Sequence, residues 1–517
     1  MASTEKQEPV FDLIKNMSKA EKRNFKLYAT RLAGNQQAKF LALFDHLDAA
    51  DEYDEAKVLA KCPVKKQQLP NMKAHLYKQI LVSIRLLNVQ HSDTMQIREQ
   101  LDFARILYDK GLYRQSGKIL EKVKEQAAAF EEYSIALDVV NFQNRIDTVS
   151  VPKDMTSSSD ASNRQVVLLC SQLEANSELS DTATRAYALY QQLGYARTQK
   201  DLDLIRQYFR PRLEAYQGRI GSMSFHEKFY FYQASAWYYY IQHNFVLSYR
   251  YSRMWLELFD SNPRMKTVMY DNYIKEYAQI LEGLYLMRRY KHFAGYLERL
   301  ESEFDTLSKL NQNAYIMGQR VILSNRIHLC FLSGEFKKGL WLVRDIENFI
   351  ARYSKHLDVH FKMLLYYKIA CLYFGDANYS KCIEYLGRIT STKDPQIRRD
   401  LQCFSRILNL IASYEAGIDY NLDYQIRSVY SFLVKMNDMH AVQKEMLGFL
   451  KKLGAVYADN VKDELKLLYE RLLPYENHPY ERRTFYYLDI LSWLESKITG
   501  RSVGEIIRRK FREQVGE

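Results

Sequence analysis

Proline and glycine are scarce in this chain, with 9 and 19 copies among 517 residues. Sheet-rich folds use both residues in their many tight turns, so this scarcity argues against such a fold. No run of about 18 uncharged apolar residues occurs, which predicts that the chain has no transmembrane helix. Charges also stand in the N-terminal stretch where a signal peptide carries its apolar core. We therefore expect a soluble, cytoplasmic protein.

Motifs of the common catalytic and metal sites are also missing. The six cysteines form no C-x-x-C pair, and several lie in apolar helical runs, which predicts buried free thiols in a reducing compartment. His356 and His360 have the spacing of one helical turn, but Leu357 stands where a zinc hydrolase needs glutamate. No phosphate-binding, dinucleotide-binding or nucleophile-elbow motif is present. We expect no catalytic residue, no metal, no cofactor and no enzymatic activity.

Acidic residues are absent from Ala56 to Ser92, although basic residues are frequent there. One interpretation is a phosphate-binding surface on a degenerate helix-turn-helix whose second helix follows Pro70. The other is a solvated basic face, or a patch that faces an acidic strip of the same protein. The residues assigned to the phosphate-binding surface are Lys65, Lys66, Lys73, Lys78 and Arg85.

Residues 10–95 have the pattern of a compact helical unit. Ser18 and Glu21 fit a capping box at the start of one helix, and Asp54 can cap another that ends at Pro63. A longer helix after Pro70 carries an apolar face predicted to point inward. That face consists of Leu76, Ile80, Leu81, Ile84 and Leu87.

Aromatic residues are abundant, with 41 tyrosines in the chain, and they are densest from Phe225 to Phe259. Some of these rings recur at steps of three and four, as on one face of a helix, and others fall on different faces. The stretch therefore predicts two helices covered on more than one side, with Gln242, His243 and Asn244 as the turn between them.

A turn pattern recurs along the chain with a period near 44 residues. In it an aromatic residue follows a tight turn, and a small residue three positions later lies in the next helix. The aromatic positions are Tyr113, Phe245, Tyr290, Phe336, Tyr379 and Tyr424. Between Tyr113 and Phe245 the period predicts two further turns, near residues 157 and 201, where the pattern is not found. The first lies in residues 150–163, a Ser/Asp-rich segment predicted to be a flexible loop.

This turn pattern resembles that of tetratricopeptide repeats, most clearly at Gly111/Tyr113/Ser116, Gly334/Phe336/Gly339 and Gly375/Tyr379/Cys382. That family has a period of about 34 residues, so helices longer by about a turn each are expected here. The resemblance implies an all-α fold, a right-handed superhelix of stacked antiparallel helical hairpins with an N-terminal helical unit. The predicted division is a basic helical unit at 1–95, repeats at 96–440 and capping helices at 441–517.

Helical repeats of this kind bind partners on a concave face, and tyrosine and arginine dominate interface energetics. We therefore predict a scaffold that binds a protein or peptide partner through Tyr238, Arg250, Arg253 and Arg289. The alternative is a nucleic-acid-associated regulator whose basic N-terminal unit contacts phosphates. No membrane insertion is expected.

Overall fold

The computed structural model describes residues 8–31, 35–150, 155–196, 198–392, 398–418, 422–436, 440–453, 461–478, 481, 485 and 489–515. Over these residues the fold is all-α, with helices and turns and no β-strand. None of the helices in this part of the chain has the length and apolarity needed to cross a bilayer. Contacts divide the chain into two units, Met1–Gln172 and Leu173–Glu517. The division falls inside one long helix, whereas the sequence suggested boundaries near residues 95 and 440.

The first unit contains eight helices over its described residues and the start of a ninth, which continues into the second unit. They are α1 (Pro9–Asn16), α2 (Lys19–Ala29), α3 (Asn35–Ala49), α4 (Glu55–Lys61), α5 (Leu69–Asn88), α6 (Asp93–Asp109), α7 (Tyr113–Ala129), α8 (Tyr133–Ser150) and α9 (Met155–Leu193).

Helices α1 to α5 enclose one apolar core that includes Phe25, Phe44, Leu76 and Ile80. The predicted helix caps are confirmed: Ser18 and Glu21 form a capping box, and Asp54 accepts hydrogen bonds at the start of α4. The inward face predicted for α5 is wrong at Leu81, which is 44% exposed. Residues 62–68 separate α4 from α5, which is longer than the three- to four-residue turn of a helix-turn-helix.

The second unit continues from α9 as a series of helices, seven of which are 17 to 19 residues long. They are α10 (Gln199–Gln217), α11 (Phe225–Ile241), α12 (Phe245–Ser261), α13 (Pro263–Val268), α14 (Tyr270–Leu286), α15 (Tyr290–Leu307), α16 (Gln312–Ser333), α17 (Phe336–Trp341), α18 (Val343–Arg352), α19 (Val359–Gly375), α20 (Tyr379–Thr390), α21 (Arg399–Glu415), α22 (Leu422–Lys435), α23 (Ala441–Leu453), α24 (Val461–Leu472), α25 (Ile490–Thr499) and α26 (Val503–Val515).

Consecutive helices in this series pack as hairpins, and the predicted repeat is visible in their starts. The second helices of five hairpins begin at Phe245, Tyr290, Phe336, Tyr379 and Leu422, 43 to 46 residues apart. Each of these five turns has a described residue in the left-handed backbone region, where the chain reverses direction. These residues are His243, Arg288, Gly334, Ala377 and Gly417.

The small residue in the pattern permits close contact between the two helices of a hairpin. Ser116 and Ser248 occupy equivalent positions in α7 and α12, and each donates a hydrogen bond from Oγ to a carbonyl of the preceding helix, Ala104 and Ala236. At Gly339 a Cβ would lie 3.4 Å from Cys330 of the preceding helix α16 and 2.4 Å from the Leu372 side chain of α19, in the next hairpin.

Three details of the predicted repeat are wrong. Residues 155–163, predicted as part of a flexible loop, belong to α9, which begins at Met155. Gly375 is not the turn residue of its hairpin, because Ala377 adopts the left-handed conformation there. Gly375 instead ends α19, at a point where a Cβ would meet the ring of Phe336. Tyr424 fills no gap between helices, because it is 72% exposed on α22.

The aromatic stretch at residues 225–259 forms α11 and α12 and the turn between them, as predicted. Its rings are buried on several faces, among them Phe229, Phe231, Tyr240, Trp255 and Phe259. They pack mainly edge-on against one another, for example Phe229 against Trp255 with centroids 5.2 Å apart. These helices therefore lie in the interior of the second unit.

The C-terminal helix α26 packs against the turns of the middle hairpins instead of only closing the end of the series. Arg508 donates a hydrogen bond to the Gly334 carbonyl at 2.9 Å, and the ring of Phe511 contacts Tyr290 with centroids 4.5 Å apart. The cations of α26 are partly engaged within the protein, since Lys510 pairs with Glu495. This arrangement places α26 beside the ends of α14, α16 and α19.

Candidate functional site

A cavity with a volume of about 1000 Å³ lies within the second unit. Its walls come from the C-terminal ends of α14 and α16, the middle and end of α19, and the inner face of α26. Aromatic side chains such as Tyr285, Phe331 and Phe374 supply much of the apolar wall. The volume is at the upper end of the range typical of ligand pockets.

The repeat itself determines which residues reach the cavity. Tyr285, Phe331 and Phe374 each stand five residues before the second helix of their hairpins. Glu282, His328 and Cys371 each stand eight residues before it, one helical turn earlier. Because consecutive hairpins repeat the same geometry, these positions line one cavity together.

Two polar residues of this set, His328 and Glu282, lie side by side. His328 Nδ1 is 3.9 Å from a carboxylate oxygen of Glu282, and no described atom forms a hydrogen bond with this nitrogen. The imidazole is buried and stacks on the ring of Tyr285, with centroids 3.9 Å apart and planes 9° apart. Burial, together with the positive charge of Lys368, lowers the pKa of His328 well below its usual value. The imidazole is therefore neutral at physiological pH.

Lys368, on α19, brings a positive charge into the interior. Its side chain is buried, and its ammonium group donates a hydrogen bond to Ser324 on α16. Burial lowers the pKa of Lys368 to about 8, although the negative charge of Glu282 opposes this effect. The ammonium group is thus charged at neutral pH but costly to keep charged.

Glu282 and Arg398 complete the charged group at this end of the cavity. Burial raises the pKa of Glu282, and the positive charges of Lys368 and Arg398 partly offset that rise. Two cations therefore act on one carboxyl group. Cys371, one turn along α19 from Lys368, also lines the cavity, and burial raises the pKa of its thiol to about 12. At neutral pH this thiol is not a nucleophile.

The rim of the cavity carries further charges. Arg288 pairs with Asp489 at 3.8 Å, and Lys510 donates a hydrogen bond to Ser492. Arg289 is exposed at the turn between α14 and α15. Among the lining residues, five cations (Arg288, Arg289, Lys368, Arg398 and Lys510) outnumber three acids (Glu282, Glu476 and Asp489). This excess of positive charge can attract an anionic ligand.

The structure does not bring the four predicted groove residues to one place. Arg289 lines the large cavity, whereas Tyr238 lines a separate cavity of about 360 Å³ near Arg206 and Arg210. Arg250 and Arg253 are exposed on α12 and line neither cavity, and Arg253 pairs with Glu257 at 3.2 Å. The expectation that Tyr238 is an exposed groove residue is wrong, because its side chain is 6% exposed.

The predicted phosphate-binding residues divide into two groups. Lys65, Lys66 and Lys78 are exposed, and Arg85 is exposed with Asp102 at 3.9 Å. Lys73 is half-buried and pairs with Glu8 at 2.5 Å, while it also donates a hydrogen bond to Tyr53 at 3.0 Å. The assignment of Lys73 to a phosphate-binding surface is therefore corrected, since its charge is already neutralised within the protein.

Among the described residues no group of three or more histidine, cysteine, aspartate or glutamate side chains is arranged to hold a metal ion. His356 and His360 are not on one helical turn as their spacing suggested. Asp358 is the N-cap of α19, so His356 precedes the helix and only His360 belongs to it.

Sequence reasoning missed the main residues of the cavity, which are Glu282, His328, Lys368 and Arg398. A signal for two of them was present. When the hairpins are aligned on their second helices, the position eight residues earlier holds Trp237, Glu282, His328 and Cys371. Polar residues at an inner position of a repeat indicate a site that the apolar pattern alone does not reveal.

No protein-family model, no curated protein and no solved structure matches this chain.

Proposed function

We propose that the chain is a non-enzymatic helical-repeat scaffold that binds a peptide segment of a protein partner in the large cavity. In this proposal the hairpins stack as a right-handed superhelix of the tetratricopeptide type, and the cavity belongs to its concave face. The observation that carries the proposal is the lining of one cavity by equivalent positions of consecutive hairpins. Repeat proteins use such surfaces to bind extended partners.

The size and chemistry of the cavity support a peptide as the ligand. Its volume of about 1000 Å³ exceeds what one ion or one side chain needs. Rigid aromatic rings lie beside a small number of polar groups, which suits a segment with both apolar and charged side chains. Arg289 at the rim is exposed and available to the chain that enters.

The test compares two arginine variants that change the net charge equally. Arg289→Glu alters the rim of the cavity, while Arg250→Glu alters an exposed residue that lines neither cavity. The full chain and both variants are immobilised, and the proteins retained from a nuclease-treated lysate of the source cells are quantified. We expect at least one protein to be retained by the wild type and by Arg250→Glu but lost with Arg289→Glu. Equal retention by both variants contradicts a binding site at this cavity.

A second candidate function is supported by the exposed cations Lys65, Lys66 and Lys78, with Tyr77 also exposed on α5. Here the N-terminal helical unit contacts the phosphates of a nucleic acid. A triple change of these lysines to glutamine is expected to weaken binding of duplex DNA to the full chain at low salt. Changing Lys337, Lys362 and Lys466 to glutamine, three lysines outside the first unit, is the charge-matched control. Absence of DNA binding by the wild type at low salt overturns this candidate.

A further inference from the structure

The cavity contains a buried cation beside an unpaired buried polar atom. Lys368 is 6% exposed and His328 is 5% exposed, and both line the cavity. An ammonium group has three donors, and one of those on Lys368 is used by Ser324. Nδ1 of His328 has no hydrogen-bond partner among the described residues. Buried polar groups of native proteins are nearly always satisfied, so this pair indicates a group that belongs in the cavity.

The geometry of His328 makes it suitable for recognising such a group. Its ring is fixed by the stack on Tyr285, so the orientation of Nδ1 does not depend on a ligand. Because the imidazole is neutral, it can carry its proton on Nδ1 and donate a hydrogen bond there. Glu282 lies 3.9 Å away and does not form a close hydrogen bond with this nitrogen. Nδ1 has almost no exposed surface, so a ligand oxygen accepts from it once the partly exposed side chain of Glu282 moves aside.

The charges favour an anion at this position. At the inner end of the cavity, which His328 and Lys368 line, Glu282 is the acidic residue, and it faces two cations, Lys368 and Arg398. One positive charge is thus in excess there, at a depth where the attraction to a ligand charge is screened less than at the surface. The whole chain also carries a formal net charge of +12, which favours encounter with acidic partners.

We propose that the cavity recognises an acidic peptide segment, with one carboxylate of the segment seated against Lys368 and the Nδ1 atom of His328. This proposal rests on the proposed function and names the chemistry of the peptide that the cavity takes. Arg398 adds positive charge to the same end, and the aromatic wall holds the apolar part of the segment. The rim arginine Arg289 meets the acidic residues that remain nearer the entrance.

The experiment measures binding of three probes to the full-length chain by isothermal titration calorimetry at low salt. The probes are N-acetyl-tetraglutamate amide, N-acetyl-tetraglutamine amide and inorganic phosphate. We expect the glutamate peptide to bind at least about tenfold more tightly than the glutamine peptide, which corresponds to one charge-assisted hydrogen bond. Phosphate is expected to compete with the peptide but to bind more weakly, because it does not contact the aromatic wall.

Lys368→Met removes the buried charge at similar volume, and Lys337→Met is the matched control at an exposed lysine outside the cavity. The preference for the glutamate peptide is expected to fall to about twofold or less with Lys368→Met and to stay unchanged with Lys337→Met. Arg289→Gln provides a second, exposed variant in case Lys368→Met does not fold, and it is expected to reduce the preference partly.

Equal affinity for the two peptides, or a preference that survives both Lys368→Met and Arg289→Gln, overturns the proposal. Phosphate that binds at least as tightly as the glutamate peptide also overturns it and assigns the cavity to a small anion. These failures are distinct from failure of the proposed function. If Arg289→Glu still abolishes retention of a cellular protein, the cavity binds a partner whose segment is not acidic.

Discussion

The imidazole of His328 lies flat against the ring of Tyr285, with centroids 3.9 Å apart and planes 9° apart. The two residues come from neighbouring hairpins, on α16 and α14. The stack fixes the imidazole beside Glu282 and Lys368, the charged groups that face it from α14 and α19. It therefore couples the positions of three helices at the inner end of the cavity.

The depressed pKa of His328 predicts a loss of stability in acid. Below pH 6.5 the imidazole of the unfolded chain binds a proton, while the buried imidazole stays neutral. Proton binding therefore stabilises the unfolded state relative to the folded state. His328→Phe retains a ring on Tyr285 and removes the titration. Relative to wild type, its free energy of unfolding is expected to rise as pH falls from 6.5, by at most about 1.4 kcal/mol per pH unit.

Urea unfolding of both proteins between pH 5 and pH 8 measures this difference. His356→Phe is the control, because His356 is exposed and precedes α19. A difference between His328→Phe and wild type that is constant over this range contradicts a neutral buried imidazole.

The hairpins could be predicted from the sequence because their determinants are local. The serine and glutamate of the first capping box are three residues apart, and a turn with its following aromatic spans a few positions. Repetition of that local signal every 43 to 46 residues then identified five consecutive hairpins. The same reasoning failed at residues 155–163, where serine and aspartate suggested a loop but α9 continues through them.

The cavity could not be predicted because its contacts join residues far apart in sequence. Lys368 donates a hydrogen bond to Ser324 and is influenced by the charge of Glu282, and these two residues lie on two other helices. Lys73 is similar, since its partner Glu8 is 65 residues away and no local pattern reveals the pair. The sequence places Tyr238 in a groove because tyrosine dominates interface energetics, and only the tertiary packing shows that its side chain is buried.

The lowered pKa of Lys368 predicts a gain of stability in alkaline solution, so stability again rises with pH. The group has a folded pKa of about 8 and an unfolded pKa near 10.5, so the folded protein releases this proton first. The cost of the buried charge is fully present below pH 8 and is relieved between pH 8 and pH 10.5. The groups facing the ammonium group are Glu282, His328, Arg398 and Cys371.

Wild type is therefore expected to gain stability relative to Lys368→Met as pH rises from 8 to 10, on the order of 1–3 kcal/mol in total. Subtracting the two unfolding curves removes the effect of tyrosine ionisation, which both proteins share. Lys337→Met, at an exposed residue, is expected to follow wild type at every pH. A constant difference for Lys368→Met shows that this lysine keeps its ordinary pKa.

Glu276 on α14 has the most deeply buried carboxyl group among the described residues. It has no exposed surface, Ser252 is the polar side chain beside it, and neither carboxyl oxygen makes a well-formed hydrogen bond. Burial raises the pKa of Glu276 well above its usual value, so the folded protein holds it protonated. Above pH 4.5 the unfolded chain ionises this group, and wild-type stability decreases as pH rises toward the folded pKa.

Glu276→Gln is expected to raise the thermal unfolding midpoint at pH 7, with a gain that is smaller at pH 5. The gain is on the order of 1–3 kcal/mol at neutral pH, because the cost of keeping the carboxyl protonated is removed. Glu257→Gln provides the comparison at an exposed carboxylate on α12 that pairs with Arg253, and a change within about 0.5 kcal/mol is expected there. Destabilisation by Glu276→Gln at both pH values contradicts the raised pKa.

Gly334 contacts the C-terminal helix α26. Its substitution by alanine would cost stability in two ways, through backbone strain and through a steric clash with α26. Its φ of +68° is unfavourable for other residues, and an added Cβ would lie 2.7 Å from the Gly504 carbonyl oxygen and 3.0 Å from the Arg508 nitrogen. Gly417 has a φ of +69° in the turn after α21, but a Cβ there meets no atom of the described residues within 4 Å. Gly417→Ala is therefore expected to lose about 1 kcal/mol of stability from backbone strain alone.

Gly334→Ala is expected to lose more than Gly417→Ala, because the added methyl group also displaces α26 from the α16–α17 turn and breaks the hydrogen bond from Arg508 to Gly334. Hydrogen exchange followed by mass spectrometry locates the effect. The amides of Val503–Val515 are expected to exchange faster in Gly334→Ala and at the wild-type rate in Gly417→Ala. Since α26 forms one wall of the cavity, Gly334→Ala is also expected to weaken binding of the glutamate peptide. Equal exchange in both variants would show that α26 does not depend on this contact.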